Sequence, residues 1–282
     1  MMKQVKLHNF SIGGPVGFVL IAGPCVIENE AAAMDIAVYL KQLTSKLDIP
    51  FIFKASYDKA NRTSVDSYRG PGLTRGLEVL QKVRRTFSIP VLSDVHRFEE
   101  IAPAADVLDV LQVPAFLCRQ TDFVIEIARH AKAVNIKKGQ FLAPWDIVHI
   151  LSKLEQAGNE NILLTERGVS FGYNNLVVDF RSFPILRGTG YPVVFDATHS
   201  VQLPGAAGKA SGGDRNMVPC LARAAVAAGI DALFFEVHPD PDRALCDGPN
   251  SLVLDSLPGL LATLMKIDAT VREDRTGSVQ AD

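Results

Sequence analysis

Eight short, apolar, β-branched runs alternate with longer helical patterns from residue 18 to about residue 270 of a 282-residue chain. That alternation predicts an α/β fold closed into a (β/α)8 TIM barrel. Periodicity alone leaves a doubly wound open sheet as the rival. Three observations favour the barrel: the runs number eight, the length matches the roughly 250 residues such barrels need, and no GxGxxG follows the first run. The predicted strands cover 18–23, 51–55, 90–95, 107–113, 133–138, 162–167, 191–197 and 232–237. Their nearly unbroken apolar character fits strands covered on both faces. Helices are predicted at 29–47, 73–86, 120–131, 145–157, 214–228 and 256–271. The third unit is the weak place, with only about ten residues after Asp94 for its helix. Residues 5–14, VKLHNFSIGG, alternate apolar and polar and predict a hairpin over the barrel bottom. The expected organisation is therefore one catalytic domain over 1–273, with 1–17 as an N-terminal hairpin segment and 274–282 as a polar, frayed tail.

Composition narrows the partners. A hydrophobic fraction of 48% supports a large core, while 21% charged residues and a net charge of −2 leave an ordinary soluble surface. Basic residues are scattered singly, so a nucleic-acid partner is not expected. The start lacks a signal-peptide pattern, and no apolar run reaches the roughly 20 residues that span a bilayer. The expected location is cytoplasmic. Four cysteines, Cys25, Cys118, Cys220 and Cys246, form no CxxC pair, which argues against a disulfide framework.

In a barrel, residues just past the carboxyl end of each strand converge on one mouth. Here they are Cys25; Lys54, Lys59 and Arg62; Asp94 and His96; Gln112 and Arg119; Lys138; Arg167; His199; and Glu236 with His238. Charged strand ends also occur simply because they meet solvent, but eight ends carrying catalytic residue types are harder to assign to chance. The cations Lys54, Lys59, Arg62, Arg119, Lys138 and Arg167 suit a ligand with several negative charges, such as a phosphate and a carboxylate. Cys25, His199, Glu236 and Asp247 offer a thiolate, an imidazole and two carboxylates, a mixed set able to hold Zn²⁺, Fe²⁺ or Mn²⁺. Spacing leaves the alternatives open, with Cys25 as a small buried hydrophobe and His199 as a general acid or base. The glycine-rich pieces RGPG (69–72), LPGAAG (203–208) and SGGD (211–214) could close over a ligand or simply connect elements. Trp145 is expected to cap or pack a helix.

The segments AGPCVIE (22–28), FKASYDKANRTS (53–64), YRGPG (68–72), SDVH (93–96), LQVPAFLCRQTD (111–122), NIKKGQF (135–141), TERG (165–168), FDATHS (195–200), SGGDR (211–215) and EVHPDPDRALCDGP (236–249) carry a resemblance. The chain resembles the 3-deoxy-D-manno-octulosonate 8-phosphate synthases from about residue 5 to 272. Those enzymes condense phosphoenolpyruvate with arabinose 5-phosphate and water, for lipopolysaccharide. The resemblance implies that Lys59, Arg119, Lys138 and Arg167 hold phosphoenolpyruvate, with Lys54, Ser56, Asp94 and Gln112 nearby. It implies that Asn61 and Arg62, with Thr63 or Ser64, take the sugar phosphate, reaching it from a neighbouring subunit of a homotetramer. Lys59, Lys138, His199 and Asp247 are the residues it casts as catalytic. Cys after AGP, here Cys25, is similar to the metal-dependent group, with His199, Glu236 and Asp247 at the other ligand positions, and VQLPG (201–205) agrees. The related synthases that use erythrose 4-phosphate are similar in barrel but have KPRTS where this chain has KANRTS (59–64), so the five-carbon sugar is the expected aldehyde.

Overall fold

In the computed structural model, which describes residues 2–14, 17–205 and 212–277, Val5–Leu7 (β1) pairs antiparallel with Phe10–Ile12 (β2). This is the predicted hairpin. Its Val5, Leu7 and Ile12 are buried in one cluster with the inward-facing strand residues, so it closes the bottom of the barrel as expected.

The repeating units follow. Strand β3 (Val19–Gly23) leads to helix α1 (Glu30–Lys46), β4 (Phe51–Lys54) to α2 (Leu73–Phe87), and β5 (Val91–Asp94) to α3 (Phe98–Val107). Strand β6 (Val110–Val113) leads to α4 (Thr121–His130), and β7 (Val134–Lys137) to α5 (Ile147–Gln156). After β8 (Ile162–Glu166) a small antiparallel pair, β9 (Val169–Ser170) and β10 (Leu176–Val177), precedes α6 (Ser182–Arg187). After β11 (Val193–Asp196) a second pair, β12 (Gln202–Leu203) and β13 (Gly212–Gly213), precedes α7 (Val218–Ala228). The last unit is β14 (Ala232–His238), the short β15 (Leu252–Val253) and α8 (Leu257–Gly277).

Eight strands, β3 to β8 with β11 and β14, are parallel neighbours in sequence order, and β14 pairs with both β11 and β3. The sheet is therefore closed: a (β/α)8 barrel. Outward residues such as Leu20, Phe53, Leu111 and Phe235 pack against the helices, while Ile21, Ile52, Leu92 and Val194 fill the lower interior.

Departures from the predicted elements have local causes. Helix α3 occupies ten residues and contains Pro103, whose missing N–H removes one helical bond. The amide of Leu108 still reaches the carbonyl of Ala104 at 2.8 Å, so the predicted strand at 107–113 begins only at Val110. Helix α6 has six residues, too few to show a helical period, and was not predicted. Helix α8 runs to Gly277, past the start of the expected tail at 274, and 278–282 lie outside the described residues. Residues 206–211 of the two later glycine-rich pieces also lie outside them. Trp145 sits in the 3-10 turn that leads into α5 and is exposed.

Candidate active site

Period-two alternation decides which strand residues enter the barrel. Ile52, Leu92, Val110, Ala133, Leu163, Val194 and Ala232 belong to the inner cluster. Steps of two from them reach Lys54, Asp94, Gln112, Lys137, Arg167, Asp196 and Glu236, all of which are buried. Apolar residues thus fill the lower barrel, and the next inward layer is charged. Above it opens a cleft of about 590 Å³, within the usual range for small-molecule sites. Gly23 permits this mouth to close, because a Cβ there would lie 1.9 Å from the carbonyl oxygen of Lys54 on the adjacent strand.

Cations dominate the cleft wall, where Lys54, Lys59, Arg62, Lys137, Arg167 and Arg215 all face the cavity. Lys54 Nζ donates to Ser56 Oγ at 2.9 Å, and Ser56 donates to Asp94 Oδ1 at 2.5 Å. Lys54 and Lys59 each place Nζ 3.5 Å from Glu236 Oε1. Burial alone would raise the Glu236 carboxyl, but His199, Lys59, Lys54 and Lys137 outweigh it and hold this group well below the usual carboxylate range. Burial pulls the Lys137 ammonium below its ordinary value, with Asp196 opposing and Lys54 adding to the effect. Arg167 is buried, donates from Nη2 to Gln202 Oε1 at 2.6 Å, and its Nη1 has no hydrogen-bond partner among the described residues.

A second group lies on the side where the sheet closes. His199 Nε2 is 3.4 Å from Glu236 Oε1 and 3.8 Å from Asp247 Oδ2. The donor atoms of His199, Glu236 and Asp247 lie within 4.8 Å of one another, and so do those of Cys25, Cys246 and Asp247. Asp247 belongs to both groups, and these are clusters able to hold a metal ion. The thiols of Cys25 and Cys246 are 2.7 Å apart and buried. Burial, then Cys246, raises the Cys25 thiol well above its ordinary value. Asp196 Oδ2 lies 2.8 Å from His199 Nδ1, while its Oδ1 accepts the His199 backbone N–H at 2.9 Å. Lys137 Nζ lies 3.3 Å from the same Nδ1, so Asp196 and Lys137 flank that edge of the ring while Nε2 faces Glu236 and Asp247. Lys137 Nζ is 2.6 Å from the same Asp196 oxygen. Asp247 has φ +47°, a left-handed conformation that Asp tolerates better than most residues. The amides of Asn250 and Ser251 stabilise it by donating to the Asp247 carbonyl at 3.0 and 3.1 Å.

Most of the residues singled out from sequence come together. Asn61, Arg62, Thr63, Asp94, His96 and Gln112 line the cleft with Lys54, Lys59, Arg167, His199 and Asp247. Ser56 stands behind Lys54 and Asp94. Four placements differ. Lys138 is one residue out of phase, so its Nζ turns away from the cleft to the Leu142 carbonyl at 3.0 Å and Glu166 Oε2 at 3.4 Å, and Lys137 takes the inward place. Arg119, just past the turn Ala115–Leu117, is exposed and is not part of the cleft wall. Ser64 turns its Oγ to the amide of Asp66, leaving Thr63 at the cavity. His238 sits 3.6 Å from Glu28 rather than in the cleft. The sequence did not single out Lys137, Asp196 or Gln202, and it left Cys246 open as core filler or a ligand. Counting inward positions from Ala133 and Val194 would have found the first two; Gln202 sits in the two-residue β12 and Cys246 on a loop, and neither offers a period to count.

The sequence model described as the DAHP synthetase I family matches residues 2–273. The chain belongs to the DAHP synthetase I family. Similar to this family member is the 2-dehydro-3-deoxyphosphooctonate aldolase of Geotalea daltonii, 61% identical over 272 residues, covering 96% of this chain and 100% of the relative. The proteins of that name from Geotalea uraniireducens and Geobacter sulfurreducens are 63% and 59% identical over the same shares of each chain. Among the described residues of this family member, no helix is long and apolar enough to cross a membrane.

Proposed function

We propose that the chain condenses phosphoenolpyruvate with arabinose 5-phosphate and water, yielding 3-deoxy-D-manno-octulosonate 8-phosphate and inorganic phosphate, for lipopolysaccharide synthesis. The observation that carries this reading is a cleft walled by six cations beside a His–Glu–Asp cluster, in a chain about 60% identical to proteins named for the phosphorylated eight-carbon keto acid. Two phosphorylated substrates, one also a carboxylate, need that density of positive charge.

Carbon 3 of phosphoenolpyruvate is a weak nucleophile, so catalysis rests on holding it against the aldehyde carbon and stabilising charge as it moves. The C3–C1 bond forms as the enol phosphate's π electrons attack the aldehyde carbon, whose C=O pair moves to oxygen and takes up a proton; water adds at carbon 2 and gives up a proton, and the hydroxyl so formed collapses to the ketone as phosphate leaves by carbon–oxygen cleavage. Lys59, Lys137 and Arg167 hold the phosphate and carboxylate of phosphoenolpyruvate; Arg167 has its Nη1 available, and Lys137 replaces the expected Lys138. Asn61, Arg62 and Thr63, on the mouth segment after β4, take the sugar phosphate. Lys54, Ser56, Asp94 and Gln112 support the reacting centre.

Cys25, His199, Glu236 and Asp247 would hold a divalent ion such as Zn²⁺, Fe²⁺ or Mn²⁺. Three features fit that role: the mixed S/N/O donors, a His199 ring whose Nε2 faces Glu236 and Asp247, and a buried Glu236 Oε2 without a hydrogen-bond partner among the described residues. When bound, the ion supplies Lewis-acid polarisation. We place the enzyme in the cytoplasm as a homotetramer. Exposed Phe116, Phe141, Trp145 and Phe171 on loops after β6, β7 and β8 support assembly on that side.

The test compares aldehydes. With phosphoenolpyruvate fixed, kcat/KM for arabinose 5-phosphate should exceed that for erythrose 4-phosphate by at least about 100-fold, since a site built for a polar substrate group rejects the analogue that leaves it unpaired. A preference for erythrose 4-phosphate would assign the chain to the sister reaction.

A further inference from the structure

Several contacts join the two halves of the site, among them Arg62 Nη1, which donates to Asp247 Oδ1 at 3.2 Å, but one neutral side chain links Arg167 to Asp247. Gln202, in β12, accepts the Arg167 Nη2–H at Oε1 (2.6 Å) and donates from Nε2 to Asp247 Oδ2 (3.0 Å). Its amide has one admissible orientation, because a guanidinium only donates and a carboxylate only accepts. The side chain is also neutral between a cation and an anion. Glutamate would repel Asp247, and lysine would repel Arg167.

The backbone holds this bridge in place. The Asp214 amide donates to the Val201 carbonyl at 3.2 Å, and the Arg215 amide to the Pro249 carbonyl at 3.1 Å, so the segment bearing Gln202 is tied to the turn bearing Asp247. Gly213, paired with Gln202 across the β12–β13 ladder, has no room for a side chain: a Cβ would sit 1.4 Å from Asn250 Oδ1, in that same turn. The short path through Gln202 therefore connects Arg167, whose Nη1 is without a partner among the described residues, to a residue shared by both potential metal-holding clusters.

We propose that Gln202 is a positioning residue that couples binding of the anionic substrate at Arg167 to binding of a divalent ion at Asp247. The inference rests on the function proposed above. Drawing Arg167 onto a substrate anion and drawing Asp247 onto a cation pull on the same amide, so each event favours the geometry the other needs. Linkage makes the effect reciprocal: phosphoenolpyruvate tightens the ion by the same factor as the ion tightens phosphoenolpyruvate.

The experiment titrates Co²⁺ into the chelator-stripped full chain, following the visible cobalt absorption, with and without saturating phosphoenolpyruvate. Omitting the aldose prevents turnover. The wild type should bind Co²⁺ about tenfold more tightly with phosphoenolpyruvate. In Gln202→Leu that ratio should fall to within about twofold of unity, with an unchanged melting temperature in the apo form. Gln202→Glu serves as a second variant: its carboxylate keeps Arg167 occupied and adds negative charge near the ion, so Co²⁺ should bind more tightly and phosphoenolpyruvate more weakly than in the wild type. A wild type that binds both ligands without coupling, or a folded Gln202→Leu that keeps the full ratio, overturns the inference and leaves the proposed function standing. A wild type that binds neither ligand overturns both.

Discussion

At the scale of single residues, the neighbouring lysines Lys137 and Lys138 show how one position of phase separates chemistry from packing. Lys137→Ala should lower kcat/KM at least about 100-fold, the usual cost of removing a group that stabilises developing charge. Lys138→Met should instead cost about 3 kcal/mol of stability, measured by urea unfolding, because Glu166 loses its buried partner. The folded fraction of that variant should retain kcat/KM. Asp196→Asn tests the orientation of His199: divalent-ion affinity should weaken about 10- to 100-fold. His96 provides a pH signature. Burial disfavours its charged ring, but Asp94, hydrogen-bonded at 2.8 Å, together with Glu100 and Asp58 raises its pKa above the ordinary histidine value. A raised folded pKa gives stability that is fully present below the unfolded value of about 6.5 and is lost as pH rises through the folded pKa. The stability difference between wild type and His96→Gln should therefore be about 2 kcal/mol at low pH and shrink as the medium becomes alkaline.

At the scale of elements, the N-terminal hairpin and the mouth do separate work. Ile12 is buried against the lower barrel, so Ile12→Ala should lose about 2–4 kcal/mol while kcat/KM of the folded enzyme is unchanged. The strands were legible because fully covered parallel strands have to be apolar throughout, as in Val19–Ala22 and Val91–Leu92. The hairpin was legible from the alternation in Val5–Ile12. Helix α6 was not, because six residues give no period. The start of β6 was misplaced because Val107 and Leu108 are apolar for different reasons: one ends α3, and the other is buried beneath it. Site residues were legible wherever closeness to a strand end was the only requirement, as for Lys54, Asp94 and Glu236. They were misread where side-chain direction mattered, as for Lys138, and missed where a two-residue strand gave no period, as for Gln202.

At the scale of the whole molecule, barrel closure joins the first and last units: β14 pairs with β3, so Cys25 and Glu236, more than two hundred residues apart in the chain, stand at one side of the mouth. The charged layer then divides into a cationic wall and a His–Glu–Asp–Cys side, and the proposed chemistry needs both. The most direct measurement is phosphate release from phosphoenolpyruvate in the presence of arabinose 5-phosphate, before and after treatment with a strong chelator. Release that requires the sugar, stops on chelation and returns with added divalent metal is the predicted result; no release from the metal-replete enzyme would contradict the account.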